Sequence, residues 1–348
     1  MVKILKRKEI SHGGKIGIQL ASIVFAFIFA SIFILMTKNN PVSVYFSMFQ
    51  GAFGTGFRFK ETLINAIPLL ITALGISLAF KMKFWNIGAE GQIIMGAFGA
   101  SYFALFHGDL PGIILIPLMF LGGAVCGSIW GLIPGFFRAY FKTNETIFTL
   151  LMNYIALNFI TYLQYGPWKD PDAYGFPKIA RFGRNAVLPN LMGIHIGWIV
   201  AIILVAWVYY FLHFTKSGYE TAVVGESENT AVYAGMNVKK IIIRTIILSG
   251  AVCGITGVIQ ASAVARTLSV NISGGIGYTA IIVAWLSGLN PVIALVTSVL
   301  FSAMVQGGNF IQLSHNIPSA VADILQGTIL FFVLGNQFFI NYRLQRNK

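Results

Sequence analysis

Phe84-Trp85-Asn86-Ile87-Gly88-Ala89-Glu90-Gly91-Gln92 is the stretch on which the fold turns. It joins two apolar runs, residues 61–80 and 88–106, yet an asparagine, two glycines, a carboxylate and a glutamine fall within seven residues. Amide and carboxylate groups are costly in hydrocarbon unless they face protein, water or a solute. The stretch therefore reads as a break in a membrane helix. A second interruption, Leu268 to Tyr278 (LSVNISGGIGY), has the same form, Asn271-Ile272-Ser273 echoing Asn86-Ile87-Gly88.

Outward from these breaks the chain is apolar. Of 348 residues 56% are hydrophobic and 10% charged, too apolar for an ordinary soluble domain. A hydrocarbon core of roughly 30 Å needs about 20 helical residues per crossing. That criterion predicts about ten spans, at 16–36, 61–80, 88–106, 112–133, 146–164, 194–214, 243–263, 277–289, 291–306 and 318–340. The eighth and ninth are short and separated by Asn290-Pro291, so one broken element is an alternative. The first is read as a retained span, because its apolar run is longer than a signal-peptide core and no small-x-small cleavage site follows. Residues 40–60 carry Val44, Tyr45, Met48 and Phe49 at helical spacing, which predicts a short interfacial helix or a packed loop.

The expected fold class is an all-α polytopic membrane protein, one transmembrane domain over 1–348, with halves at 16–164 and 194–340 and broken helices near Asn86 and Asn271. An even span count puts both termini on one side. With 16 of the 24 cations on that side, the positive-inside rule makes it the cytoplasm. Asn86 then follows a span running inward and Asn271 one running outward, so the halves are related as an inverted repeat, an arrangement of alternating-access transporters.

The net charge of +13 flanks apolar runs and comes with no binding module, so a membrane surface explains it better than nucleic acid. Cys126 and Cys253 have neither metal nor disulfide spacing. The five histidines are scattered, the eleven acids form no cluster for a metal ion, and the sequence has no phosphate loop and no nucleophile motif. No metal site, catalytic residue or cofactor is expected in this chain. A solute mover would need energy from elsewhere. The place for its arrival is the polar stretch 216–240 (KSGYETAVVGESENTAVYAGMNVKK), cytoplasmic in this topology, with small residues Gly225, Ala231, Ala234 and Gly235 that permit close contact. A solvated loop is the competing reading.

Four segments carry a resemblance: NIGAEGQ (86–92), NETIFTLLMNYIA (144–156), GYETAVVGESENTAVYAGMNV (218–238) and GIGYTAIIVAWLSGLNP (275–291). They resemble permease subunits of bacterial ABC importers for nucleosides and simple sugars, the group related to branched-chain amino acid permeases. NIGAEGQ and the N-E-x-I…L-M-N-Y-I-A pattern look more like the nucleoside branch. The resemblance implies a multi-pass subunit of the bacterial cytoplasmic membrane. Its implied partners are a second permease (paralogue or self), a cytoplasmic ATPase that binds ATP and Mg²⁺, and an extracytoplasmic binding lipoprotein. It also implies a coupling helix formed by Gly225, Glu226, Asn229, Ala231, Tyr233 and Gly235. Asn86, Glu90, Gln92, Asn153, Tyr154, Asn271 and Tyr278 are the residues it puts forward for the solute pathway. The expected solutes are purine and/or pyrimidine nucleosides; alternatives are a ribose- or galactose-type sugar, and an ion-coupled transporter with Glu90 as coupling carboxylate.

Overall fold

The computed structural model describes residues 2–6, 12–318 and 342–346, with scattered positions between 321 and 335. Twelve helices dominate the described residues: α1 (His12–Met36), α2 (Pro41–Phe53), α3 (Gly56–Lys81), α4 (Ala89–Phe106), α5 (Gly112–Phe141), α6 (Glu145–Tyr165), α7 (Gly197–Phe214), α8 (Lys216–Glu226), α9 (Glu228–Tyr233), α10 (Val238–Ile259), α11 (Ile276–Leu286) and α12 (Pro291–His315). Six of them, α3, α5, α6, α7, α10 with its π-helical extension to Ala265, and α12, are long and apolar enough to cross a membrane. The pair Val24–Met36 and Pro41–Phe53, bent by 107°, makes a seventh if counted as one span. The protein is therefore a helical, multi-pass membrane protein. Helix α4 has 18 residues, but Glu90 and Gln92 in its first turn lower its hydropathy, and α11 has only 11. Most of the tenth expected span, Gln326 included, lies outside the described residues.

The chain divides into two compact units, residues 63–299 and residues 1–62 with 300–348. In the smaller unit the stretch expected as an interfacial helix or packed loop contains helix α2. Asn40 caps it by accepting from Val42 N–H at 2.9 Å, and Pro41 starts it with the one residue that needs no amide partner there. Ala30, Ile34, Val44, Met48 and Ile311 form its core. Strand β1 (Val2–Lys6) pairs antiparallel with β4 (Tyr342–Arg346), a small departure from the all-α expectation.

The larger unit is built on a trio, α4, α5 and α10, whose contact faces are lined by glycine. Gly123, Gly127, Gly131 and Gly135 recur every four residues along α5, and Gly250 and Gly254 do so on α10. A Cβ at Gly254 would run into the carbonyl of Gly123, and one at Gly96 of α4 would meet the backbone of Gly254. Small residues let membrane helices approach until backbones touch, which supplies the dispersion contacts that lipid cannot displace. The expected outer loop, 165–193, is ordered over this trio. Phe182 N–H donates to Arg266 O at 2.9 Å, and Leu188 N–H to Ser262 Oγ at 3.1 Å. A two-residue hairpin, β2 (Asn190–Leu191) with β3 (Ile194–His195), leads into α7.

Helices α11 and α12 are distinct, with a turn of four residues, 287–290, between them. Gly288 and Leu289 adopt left-handed backbone between them, and Asn290 Oδ1 caps α12 at Val292 N–H, 2.9 Å away.

At the head of α7, His195 is 4% exposed, and neither ring nitrogen has a partner among the described residues. Burial alone pushes its pKa down to about 4 from 6.5. The folded state thus holds a neutral imidazole that an unfolded chain would protonate below pH 6.5. Stability is full above that value and declines as the pH falls toward 4, by about 3 kcal/mol in total. Melting of the purified protein should show this loss between pH 7 and pH 4.5, and His195→Met should flatten the curve in that window. An unchanged slope in the variant would exclude His195 as its source.

Candidate functional site

Two breaks in the helical backbone meet in the larger unit. The first lies between α3 and α4: Lys83 takes left-handed backbone, and Asn86 Oδ1 accepts from Gly88 N–H at 3.0 Å to turn the chain into α4. The second lies between the π-helical end of α10 and α11, with Arg266 and Gly275 in left-handed conformation. Each creates a helix N-terminus whose amides have no partner in their own helix. Away from water such donors must be satisfied by protein.

Other helices supply the acceptors. Asn153 of α6 accepts from Gly91 N–H at 2.8 Å, and its amide donates to Ile87 O (3.0 Å) and Tyr278 Oη (3.2 Å). Glu90, in the first turn of α4, is buried and spends both oxygens on α11, accepting from Gly275 N–H at 2.9 Å and Gly277 N–H at 2.7 Å. Gly277 has to be glycine, since a Cβ there would overlap the backbone and carboxylate of Glu90. Asn86 donates to Gln92 Oε1 at 3.2 Å and lies 3.5 Å from Ser249 Oγ of α10, which donates to Gly75 O at 2.7 Å. Thr149 Oγ1 of α6 accepts from Ile87 N–H at 3.2 Å.

The structure thus brings Asn86, Glu90, Gln92, Asn153 and Tyr278 into one hydrogen-bonded knot. Tyr154 is 58% exposed, outside that network, and Asn271 is an exposed residue of the second break. Asn158, about 140° round α6 from Asn153, only bonds back to Tyr154 O in its own helix. Sequence reasoning missed Thr149 and Ser249, and also Trp130, whose Nε1 is buried beside Gly91 without a partner among the described residues. It missed as well an aromatic group below the first break, where Trp85 and Trp285 stack at 5.5 Å and Phe80 meets both edges-on or tilted. Hydroxyls and single aromatics at helical spacing look like ordinary packing until their partners are known.

The polar stretch forms two helices. Thr215 caps α8, and Ser227, in extended backbone, ends α8 and caps α9 by accepting from Thr230 N–H at 3.2 Å. Gly225 lies near the end of α8, where a Cβ would overlap Lys81 O and Met82, the last turn of α3 before the first break. Helix α9 buries Ala231 and exposes Asn229, Val232 and Tyr233 (92%), with Glu226 exposed just before it and Gly235 just after. Arg138 at the end of α5 holds α9 in position, pairing with Glu228 at 2.8 Å and with Glu145 of α6 at 3.2 Å.

A family described as "branched-chain amino acid transport system / permease component" matches residues 59–334. The chain belongs to this family. The permease is 32% identical to the nucleoside ABC transporter permease protein NupB of Lactococcus lactis, over 96% of this chain and 94% of that protein. It is 28% identical to the guanosine ABC transporter permease protein NupP of Bacillus subtilis, with 94% of each covered. Its identity to the glucose ABC transporter permease protein TsgB13 of Haloferax volcanii is 29%, over 94% of this chain and 89% of that one. The matched region runs through both breaks and the α8–α9 segment, and the permease is a transport component.

Proposed function

We propose that this permease carries nucleosides through an ATP-driven importer, receiving them from an extracytoplasmic binding protein. The observation that carries the reading is the fate of Glu90. The one carboxylate at the breaks is consumed by two backbone amides, so neither it nor the α11 N-terminus is left to meet a charged solute. Beside it stand Tyr278 hydroxyl, Trp130 indole N–H and the Trp85–Trp285 pair, groups that suit a neutral solute with hydroxyls and a planar base. The nucleoside and guanosine relatives favour the same class, and the glucose relative keeps a sugar as the second reading.

In this reading ATP and Mg²⁺ bind a separate cytoplasmic ATPase, a second permease completes the pathway, and α9 docks on the ATPase. Gly225 against Lys81 and Met82 gives docking a direct mechanical line to the first break and, through Glu90, to the second. The inverted repeat of about ten spans is supported by the two breaks, each leading from a left-handed cation into a helix capped by another helix. Pairing of β1 with β4 supports termini on one side, taken as the cytoplasm of a bacterial cell.

Mass spectrometry of the ligand retained by the associated binding protein tests the solute. A nucleoside is expected; a pentose or hexose would overturn the choice. For coupling, Val232→Ala/Tyr233→Ala removes exposed side chains only, so assembly into the membrane should persist while uptake falls about tenfold or more. Undiminished uptake would remove α9 from the docking surface. Uptake that survives ATP depletion and collapses with an uncoupler would favour ion coupling instead.

A further inference from the structure

Where α7 ends and α10 begins, a recess of about 270 Å³ is lined by Lys216, Ser217, Glu220, Asn237, Lys240, Ile241 and Arg244. Three cations face one carboxylate, and that carboxylate is already committed. Glu220 Oε2 lies 3.2 Å from Arg244 Nη2, which also donates to Ser217 O at 3.1 Å. Both contacts use one nitrogen of the guanidinium, while Nε is buried with no partner among the described residues. Lys216 and Lys240 are exposed and form no ion pair among those residues. The first turns of α8 and α10 both line the recess, so two helix N-termini add their partial positive charge to the same spot.

This spot lies at the ends of two membrane-length helices, α7 and α10, the depth at which phospholipid headgroups sit. We propose that the recess binds a phosphate-bearing anion, either an anionic phospholipid headgroup or a soluble phosphate. The chemistry is direct: phosphate oxygens accept from ammonium and guanidinium donors, and the anion offsets a local charge that the protein leaves unbalanced. A bound phosphate would bridge α8 to α10 through Lys216 and Lys240, bracing the segment that carries α9. The site is independent of which solute is transported.

The test uses the purified full-length chain in detergent, by native mass spectrometry with phosphatidylglycerol or phosphatidylcholine added, and by calorimetric titration with inorganic phosphate. Retention of phosphatidylglycerol about tenfold over phosphatidylcholine is expected. It should disappear in Lys216→Gln/Lys240→Gln and persist in Lys216→Arg/Lys240→Arg, with all three proteins melting alike. If phosphatidylglycerol stays bound in excess inorganic phosphate, the source is lipid. If inorganic phosphate binds and no lipid preference appears, the source is soluble, and the same glutamine pair should abolish that binding. Absence of both, or binding unchanged by the glutamine pair, overturns the proposal. Should that pair fail to fold, wild-type binding that is indifferent to salt overturns it equally.

Discussion

Gly254→Val is expected to prevent recovery of a folded protein from the membrane. At Gly254 the backbones of three helices converge: its own Cβ would strike Gly123 O of α5, and the paths of Gly96 and Gly127 run against its Cα and backbone. The obstructing atoms are main chain in every direction, so no side chain can swing aside and whole helices must separate. Overpacking a core costs about 1–3 kcal/mol where side chains can yield, so about 3 kcal/mol or more applies here. Separation would also forfeit the contacts along the four-residue glycine repeat of α5. Expression followed by size-exclusion recovery and melting in detergent checks this. Gly56→Ala is the control, because nothing lies within 4 Å of a Cβ there. Comparable recovery of the Gly254 and Gly56 variants would mean that the trio is not packed through glycine.

Glu90→Ala should cost about 3 kcal/mol, since it strands one buried and one half-buried N–H donor at the head of α11, each losing an acceptor at under 3 Å. Glu90→Gln is the more informative substitution. Its single amide oxygen can serve one of the two donors, while its NH₂ group faces the other, so stability should fall by about 2 kcal/mol and uptake with it. Parallel loss of melting temperature and uptake identifies Glu90 as the clip between the two breaks. Unchanged melting with uptake abolished would instead mean a carboxylate available to solute or ion, and would revive the ion-coupled alternative.

Much of this molecule is legible one segment at a time. Hydropathy located the crossing helices and the turn residues at 84–92 and 268–278 located both breaks, because the cost of polar groups in hydrocarbon is written into each local window. Thr215 and Ser227 are the caps that divide the 216–240 stretch in two, so the expected coupling helix over Gly225 to Gly235 is split, with Gly225 and Glu226 ending α8 and α9 beginning at Glu228. The prediction of about ten crossings was harder to reconcile. A helix such as α4 meets the length requirement while its pathway residues lower its hydropathy, and α11 is a half-length piece that gains its stability from Glu90.

The residues at the site show where local reading stops. Asn86, Glu90, Gln92, Asn153 and Tyr278 were identifiable as polar groups in apolar surroundings, yet whether each touches solute or protein depended on partners far along the chain. Glu90 meets residues 185 and 187 positions away, and Asn153 reaches back 62 to Gly91. Arg138 was one basic residue at a span end until α9 brought Glu228 to it across 90 positions. The regular glycines of α5 were visible in the sequence but uninformative without a facing helix. By itself the sequence determined the solvent this protein folds in, the places of the breaks near Asn86 and Asn271, and its family, since those follow from side-chain chemistry and short-range spacing. Only the tertiary structure decided that the conspicuous carboxylate is a clip between helices and that three cations share one recess, because hydrogen bonds and charge balance are properties of atoms brought together in space.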